Sequence, residues 1–400
     1  MIALPTNRSE NWRYANLRPL AKARVEAVGA DAAPAAAILL PASLPDYERW
    51  VFIDGQFAAR LSAPAADSCA TLLNARDAGA EFSALLDAAI ATEGDDFALA
   101  RLNGTHGNEV LHIAPADGAS VRIELTFIAS ATASAGTSYP RVQVHAGRDA
   151  HLRLVERHVS AGGADSSINA AFDLALRAGA QIDHCRLQNV SDTAACFDTL
   201  TAHVGERANY RLRSVTLGAL SARSTVLVKL AGRAARCDLT AACIANGIQT
   251  QDVFAEIEHA GADTVTRELY RGIATDRGKL GFNGKMVVRE SAPGADTEQS
   301  LKTLLTGAGA EASVRPQLEI YTDRVRAVHG ATTGKLDEQM LFYLLSRGID
   351  RRTAQTLLQW AFIEDAVSRV ECSALRAEIE QLIAAQLNEV SALEGLLGTP

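Results

Sequence analysis

The stretch AGRAARCDLTAACIANGIQTQDVFAEIEHAGAD, from Ala231 to Asp263, holds one full period of the pattern that decides the fold. It starts and ends in a glycine turn, and between the turns valine, threonine, leucine and isoleucine alternate with polar residues, which indicates short β-strands. Five such turns recur at spacings of 32, 26, 27 and 29 residues, with their glycines at Gly147, Gly179, Gly205, Gly232 and Gly261. Because repeats of about 20–50 residues are typical of solenoids and arrays, the middle of the chain is predicted to be repetitive.

A stacked-coil β-solenoid explains this pattern better than a β-sandwich does. Each coil of a solenoid buries its inner face against its neighbours, so its turns recur at a nearly fixed spacing. A sandwich would show similar strands without the glycine spacing. The sequence therefore predicts a mainly β protein whose core, residues 91–335, is a β-solenoid, preceded by a small mixed α/β region of residues 1–90.

The carboxyl end, residues 336–400, is predicted to be a helical domain. Asp337 stands at the N-cap position of a first helix, which Gly348 is placed to end with a positive φ. Asp350 can cap a second helix, and a third is expected from about Ser373. Three short helices cannot bury all their apolar area among themselves, so the solenoid or a partner must cover the rest.

Charge and hydropathy exclude several classes of function. The 400 residues include 47 acidic and 39 basic side chains, for a net charge of −8, and neither sign forms a long run. Such a surface attracts neither DNA nor anionic lipid, so no nucleic-acid or membrane partner is expected. The sequence contains neither a long apolar run nor the apolar core of a secretion signal, and a cytoplasmic location is expected.

Short catalytic motifs are missing from the sequence. The six cysteines include no CxxC pair, and Cys237 and Cys243, six residues apart, suit no standard zinc or cluster motif. The segment Gly330 to Lys335 is one residue short of a Walker A loop and lacks its hydroxyl residue. Neither a GxSxG nor an HExxH motif occurs. The sequence therefore predicts a protein that is not an enzyme.

Two segments resemble the SufB/SufD family of iron–sulfur cluster assembly. The stretch RPQLEIYTDRVRAVHGATTGKLDEQMLFYLLSRGIDRRTAQTLLQWAF, Arg315 to Phe362, is similar to the family pattern P-x-L-E-I-x-x-D-x-V-x-C-x-H-G-A-T-x-G-x-L-D followed by L-F-Y-L-x-S-R-G-I. Leu4 to Tyr14 resembles the amino-terminal motif P-T-x-x-x-E-x-W-[KR]-Y. Gly330 after the histidine, and Ala310 where SufB has its cluster-building cysteine, favour the SufD branch. Ala327 replaces a cysteine that many SufD sequences carry.

The resemblance implies a right-handed parallel β-helix and a scaffold subunit that pairs with SufB and binds the ABC-type ATPase SufC. In SufD the histidine of the HGAT element faces SufB and takes part in building the nascent cluster, which makes His329 the candidate iron or cluster ligand. An imidazole is a suitable ligand for iron. The cluster would be transient, no cofactor would be bound stably, and flavin is expected only in the assembled complex.

The helical domain is where SufC docks in the family, and a cap over the solenoid end is a compatible structural role. Two alternatives stay open. One is a SufB-like homologue that acts as a homodimeric scaffold. The other is a β-helical carbohydrate-active enzyme, which would need paired carboxylates, such as Asp183 and Asp263, on one exposed coil face. The candidate residues for SufC docking are Tyr343, Arg347, Arg351, Leu358, Trp360 and Phe362.

Overall fold

The structure is a computed structural model that describes residues 4–29, 40–74, 97–160 and 163–387. Residues 31–39 and 75–90 of the amino-terminal region lie outside the described residues, as do residues 388–400 of the helical domain.

The described residues form twenty β-strands and four α-helices, with short 3₁₀ turns in the amino-terminal part. The strands are β1 (Glu48–Ile53), β2 (Gln56–Phe57), β3 (Ala70–Asn74), β4 (Glu109–Ile113), β5 (Ser120–Ala129), β6 (Thr137–Ser138), β7 (Arg141–Ala146), β8 (His151–Ser160), β9 (Ser167–Leu176), β10 (Gln181–Asn189), β11 (Ala195–Val204), β12 (Asn209–Thr216), β13 (Ser221–Leu230), β14 (Arg236–Ala245), β15 (Thr250–His259), β16 (Val265–Ala274), β17 (Lys279–Val288), β18 (Ala295–Leu305), β19 (Glu311–Ile320) and β20 (Val325–Gly334). The helices are α1 (Ala98–His106), α2 (Glu338–Ser346), α3 (Arg351–Val367) and α4 (Ser373–Gln386).

Successive long strands alternate between two sheets, so each coil contributes one strand to each. The first sheet runs β2-β1-β5-β8-β10-β12-β14-β16-β18-β20, and the second runs β19-β17-β15-β13-β11-β9-β7-β4-β3. From β5 onward in the first sheet, and from β4 onward in the second, the neighbours are parallel, whereas β2 and β3, the outermost strands at the amino-terminal end, pair antiparallel. This arrangement confirms the predicted parallel β-solenoid.

The five repeated glycines all lie in the same corner of the solenoid, between a strand of the second sheet and the next strand of the first. Successive corners stack backbone on backbone. A Cβ atom on Gly232 would lie 2.0 Å from the backbone nitrogen of Glu206, and a Cβ atom on Gly261 would lie 2.4 Å from the carbonyl oxygen of Gly232. The sequence repeats glycine there because the preceding coil leaves no room for a side chain.

The space between the sheets is filled by apolar rows and by buried polar side chains, which include a cluster around Glu156. The apolar rows include Phe172, Leu212 and Phe282, each at most 1% exposed. In the polar cluster the fully buried carboxylate of Glu156 accepts hydrogen bonds from Nη2 of Arg186, at 3.1 Å, and from Nε2 of His184, at 2.9 Å. Burial opposes the charge on Glu156, yet Arg186 and the neighbouring histidines hold its pKa well below the ordinary value.

The predicted helix caps are confirmed. The Asp337 carboxylate accepts hydrogen bonds from the backbone N–H groups of Gln339 and Met340 at the start of α2. Asp350 does the same for the start of α3, and Gly348 between the two helices has a φ of +85°. These caps satisfy amide groups that would otherwise have no partner in the first turn of each helix.

The helical domain packs on the outer flank of the first sheet. Trp360 and Ile363 of α3, with Leu375 of α4, are buried in one cluster with Ile244 and Ile273 of the solenoid. Ion pairs fix the contact: Nε of Arg271 donates to Oδ2 of Asp365 at 2.8 Å, and Nη2 of Arg157 lies 3.1 Å from Oε2 of Glu378. The flank of the solenoid therefore covers apolar side chains of α3 and α4.

The amino-terminal segment, residues 4–29, packs against the other flank. Trp12, 1% exposed, joins Leu99 of α1 and Phe197 of the second sheet in a separate apolar cluster. Oε1 of Glu10 lies 2.7 Å from Nη2 of Arg315, in the last coil. The segment that resembles the family's amino-terminal motif thus reaches along the outer face of the second sheet to the carboxyl end of the solenoid.

Candidate functional site

The carboxyl end of the solenoid is open. β19 and β20 are the last strands of their sheets, so among the described residues neither has a further strand beside it. Every residue of β19 and β20 is exposed or half-buried, whereas the long strands before these two are mostly buried. Val314 and Leu318, which pack against the core from the last coil, are only partly buried. The inner face of the last coil therefore lies open at this end.

His329 lies on β20 at this open end and is exposed. Its Cα is in register with that of Gln299 on β18, which is in register with Glu268 on β16. Residues in register on neighbouring parallel strands project from the same face of the sheet. His329 is therefore the outermost member of a row that continues into the solenoid through Gln299 and Glu268.

The two inner members of this row are linked by a hydrogen bond. Nε2 of Gln299 donates to Oε2 of Glu268 at 2.6 Å and to the carbonyl oxygen of Gly284, on the opposite sheet, at 3.1 Å. Gln299 and Glu268 are each 2% exposed. The second oxygen of each side chain, Oε1, is buried without a hydrogen-bond partner in the part of the chain that the structure describes.

Burial without a neighbouring cation makes the ionised form of Glu268 unfavourable. Desolvation raises the pKa of Glu268 to about 7, and the hydrogen bond from Gln299 offsets only part of that effect. Gly284 makes space for the pair, since a Cβ atom there would lie 2.6 Å from Oε2 of Glu268 and 2.8 Å from Nε2 of Gln299.

The residues predicted to dock SufC divide into two groups. Tyr343, Arg347 and Arg351 are exposed, and the guanidinium carbon of Arg347 lies 5.2 Å from the ring centroid of Tyr343. Leu358 and Phe362 are half-buried, and Trp360, 6% exposed, lies in the cluster between α3 and the solenoid. The structure adds two exposed apolar side chains to the first group, Met340 at 50% and Phe342 at 72% exposure.

Among the described residues, no group of three or more His, Cys, Asp or Glu side chains is placed to hold a metal ion. The six cysteines are free, and four of them, Cys185, Cys196, Cys237 and Cys243, are buried. Burial raises the pKa of the thiols of Cys185 and Cys243 to about 12, so neither is a ready thiolate nucleophile.

Asp183 and Asp263, the acids that a carbohydrate-active enzyme would have to pair, lie in different coils and have different partners. Asp183 lies on β10, where its carboxylate is bound by His151 and Arg211. Asp263 lies in the corner after β15, where it pairs with Arg233 at 2.5 Å. They therefore do not form the paired carboxylates that glycoside hydrolysis uses.

No helix among the described residues has the length and apolarity to cross a membrane.

The Glu268–Gln299 pair was not singled out from the sequence as part of a site. The signal was present in the spacing: Glu268, Gln299 and His329 follow one another at 31 and 30 residues, about one coil of the solenoid. Polar residues that recur at the coil period stack on one face.

Comparisons with known proteins agree over most of the chain. The domain family described as "SUF system FeS cluster assembly, SufBD core domain" matches residues 127–362. The iron–sulfur cluster assembly protein SufD of Escherichia coli (strain K12) is 27% identical over 380 residues, which cover 94% of this chain and 88% of that protein. A SufBD family protein of Synechocystis is 26% identical over 399 residues, covering 96% and 87%. SufD of Bacillus subtilis (strain 168) is 27% identical over 206 residues, covering 49% and 47%.

Proposed function

The chain belongs to the SufBD core family of the SUF system for iron–sulfur cluster assembly, and from that membership we propose that it is a non-enzymatic SufD-type scaffold subunit. It pairs with a SufB-type subunit through the open end of its solenoid and binds a SufC-type ATPase through its helical domain. The membership itself confirms the resemblance found in the sequence. The partners and the part played by each residue are the proposal.

The open end of the solenoid is the observation that supports this proposal best. Solenoids need their terminal coils capped, because each coil otherwise has one uncovered face. Here Ile320, Tyr321 and Val328, at the last coil, are 40%, 56% and 49% exposed. Unpaired strand edges beside exposed apolar side chains favour pairing with another chain. A SufB-type solenoid that presents its own open end would cover both the strand edges and the apolar side chains of the last coil.

His329 would contribute one ligand at that interface. Its imidazole lies where the partner's terminal coil would meet β20, and Ala327, two residues earlier, supplies no thiolate. A site with several ligands would therefore have to draw the others from the partner subunit. The cluster is cargo that is built and passed on, and this chain contributes geometry and one nitrogen donor to it.

The exposed face of α2 is the proposed SufC docking surface. Met340, Phe342 and Tyr343 are exposed apolar side chains of α2, and the exposed cations Arg347 and Arg351 follow them along the chain. Exposed apolar side chains near charged ones are usual in a protein interface. Because α2 follows β20 after three residues, a SufC-type ATPase bound there could move the SufB-facing end as it hydrolyses ATP.

Co-expression with SufB-type and SufC-type partners, followed by native mass spectrometry, tests the pairing. A complex that contains all three subunits is expected. A chain that stays alone would contradict the scaffold function. One that pairs only with itself would support the homodimeric alternative instead.

Cluster assembly in the reconstituted complex tests the ligand role separately. When iron and sulfide are supplied, His329→Ala is expected to slow the appearance of the cluster's visible absorbance by at least about tenfold. Arg326→Ala, which changes an exposed side chain on the opposite face of the same strand, is the matched control and should match the unmodified complex. A normal rate in His329→Ala would remove the ligand role and leave the pairing intact.

The docking surface has its own experiment. Arg347→Glu combined with Arg351→Glu is expected to abolish binding of the SufC-type ATPase, measured by titration calorimetry with the isolated partner. Arg207→Glu, an exposed charge reversal in a solenoid corner, is the control. Unchanged affinity in the double variant would exclude this face of the helical domain.

A further inference from the structure

The row of Glu268, Gln299 and His329 crosses from the interior of the solenoid to its open end. The two inner residues of this row are joined by hydrogen bonds. The Gln299 amide donates both to Glu268 and to the carbonyl oxygen of Gly284 on the opposite sheet. Gly284 keeps the space that the pair occupies. The Gln299 Oε1 atom is buried and has no hydrogen-bond partner among the described residues.

A buried amide oxygen without a partner is costly, by more than an ordinary hydrogen bond contributes when it forms. The following coil is the one place from which a side chain can reach this oxygen along the row. Because the amide N–H groups are used toward the preceding coil and the opposite sheet, the oxygen is left for the following coil, where His329 occupies the same register. Neighbouring strands lie about 4.8 Å apart, within reach of an imidazole.

We infer that Gln299 and Glu268 are positioning residues for His329. Glu268 fixes the orientation of the Gln299 amide, and when the His329 imidazole turns toward the interior the amide oxygen accepts a hydrogen bond from one ring N–H. The other ring nitrogen then presents its lone pair to the partner face. Histidines that bind metal ions are commonly oriented by such a bond from their second nitrogen. This inference rests on the proposed ligand role of His329, and it names what selects the tautomer of that ligand.

The structure also indicates why the pair is a carboxylate and an amide rather than two apolar residues. A leucine at either position would fill the interior at lower cost, because burying polar groups without full hydrogen bonding is unfavourable. The amide of Gln299 is held in one orientation because its N–H groups face two acceptors, Oε2 of Glu268 and the carbonyl oxygen of Gly284. An apolar or hydroxyl side chain at position 299 would leave the imidazole free to adopt either tautomer.

The tautomer of His329 in the full-length chain is the direct test. The chain is labelled with ring-¹⁵N histidine, and the His329 signals are assigned by their loss in His329→Asn. At a pH where the ring is neutral, the unmodified protein is expected to show one tautomer in strong excess. Gln299→Leu and Glu268→Leu are expected to reduce the ratio of the two tautomers by about fivefold, the effect of one ordinary hydrogen bond.

Two further variants keep the test decisive. Thr297→Val changes a buried inward-facing side chain on the same strand and should leave the ratio unchanged. Gly284→Ala displaces the pair without altering either member, and it decides the question if Gln299→Leu does not fold. An unchanged ratio in both Gln299→Leu and Gly284→Ala would overturn the inference, as would an equal shift in Thr297→Val.

The measurement needs neither partner nor cluster, so its failure is distinct from failure of the proposed function. If the tautomer ratio shifts as expected while His329→Ala assembles clusters at the normal rate, the positioning pair stands and the ligand role falls. If the ratio does not shift and His329→Ala stops assembly, the ligand role stands without this pair.

Discussion

The indole ring of Trp12 packs on the guanidinium group of Arg223, whose central carbon lies 4.4 Å from the ring centroid. Arg223 is 2% exposed and pairs with Asp252, which is 4% exposed. The indole therefore shields a buried ion pair on the outer flank of the second sheet from water. The amino-terminal segment is fixed to the solenoid by this contact as well as by apolar packing.

Trp12→Ala should destabilise the protein by about 3–5 kcal/mol, because it leaves a cavity and exposes the Arg223–Asp252 pair to water. The free energy of unfolding in urea measures the loss. Tyr14→Ala, at a site that is 41% exposed, is the control and should change stability by less than about 0.5 kcal/mol. Equal effects from both variants would mean that Trp12 does not anchor the segment.

Glu268 should make the stability of the protein depend on pH. The pKa of Glu268 is raised from 4.5 to about 7 in the folded state, so the folded protein binds this proton more tightly than the unfolded chain does. Stability is therefore lost as pH rises from 4.5 to 7 and is constant beyond. Integrated over that range, the effect is about 3 kcal/mol.

Glu268→Gln isolates this effect, because the amide keeps the shape of the side chain and removes the charge. The variant is expected to be more stable than the unmodified protein at pH 8, by about 3 kcal/mol, and nearly equal to it at pH 4.5. Urea unfolding at several pH values gives the difference. A difference that does not change with pH would show that the carboxyl group is not the cause.

Gly232→Ala should be strongly destabilising, although it adds a single methyl group. The new atom would lie 2.0 Å from a backbone nitrogen of the preceding corner, and backbone cannot move away as a side chain can. We expect a loss of at least about 2 kcal/mol in thermal or urea unfolding. Gly29→Ala, where no atom lies within 4 Å, is the matched control. A neutral Gly232→Ala would contradict the tight stacking of the corners.

Arg157 should be essential for attachment of the helical domain. Its buried guanidinium lies 3.0 Å from Glu124 of the solenoid and 3.1 Å from Glu378 of α4. Arg157→Ala leaves both carboxylates without this partner, and a loss of about 3–5 kcal/mol is expected. The exposed pair of Arg207 and Glu206 is the comparison, and Arg207→Ala should cost less than about 1 kcal/mol.

Limited proteolysis shows whether the stability lost in Arg157→Ala is lost at the contact between the helical domain and the solenoid. Arg157→Ala is expected to release the helical domain from the solenoid at protease concentrations that leave the Arg207→Ala protein intact. If the two variants were cleaved at the same rate, the ion pairs of Arg157 would not be what holds α4 in place.

The sequence predicted the features that depend on local chemistry or on a repeat. Gly232 and its equivalents indicated the corners, because stacked corners contact each other and leave room only for glycine. Asp337 and Asp350 indicated the starts of helices, because an N-cap residue lies next to the amides that it satisfies. The flank that the helical domain covers was not predictable, since Trp360 has the same apolar character in a core as on a docking surface. The Glu268–Gln299 pair was missed because an inward-facing polar residue is recognised only once strand register is known.

The two ends of the solenoid differ in the strands that they present. The outermost strands at the amino-terminal end, β2 and β3, pair antiparallel with their neighbours, whereas β19 and β20 at the carboxyl-terminal end are ten-residue strands in parallel pairing. A solenoid that bound other copies at both ends could add them head to tail and grow into a filament. A solenoid that pairs only through its carboxyl-terminal end has a valence of one, so its end-to-end association stops at a pair.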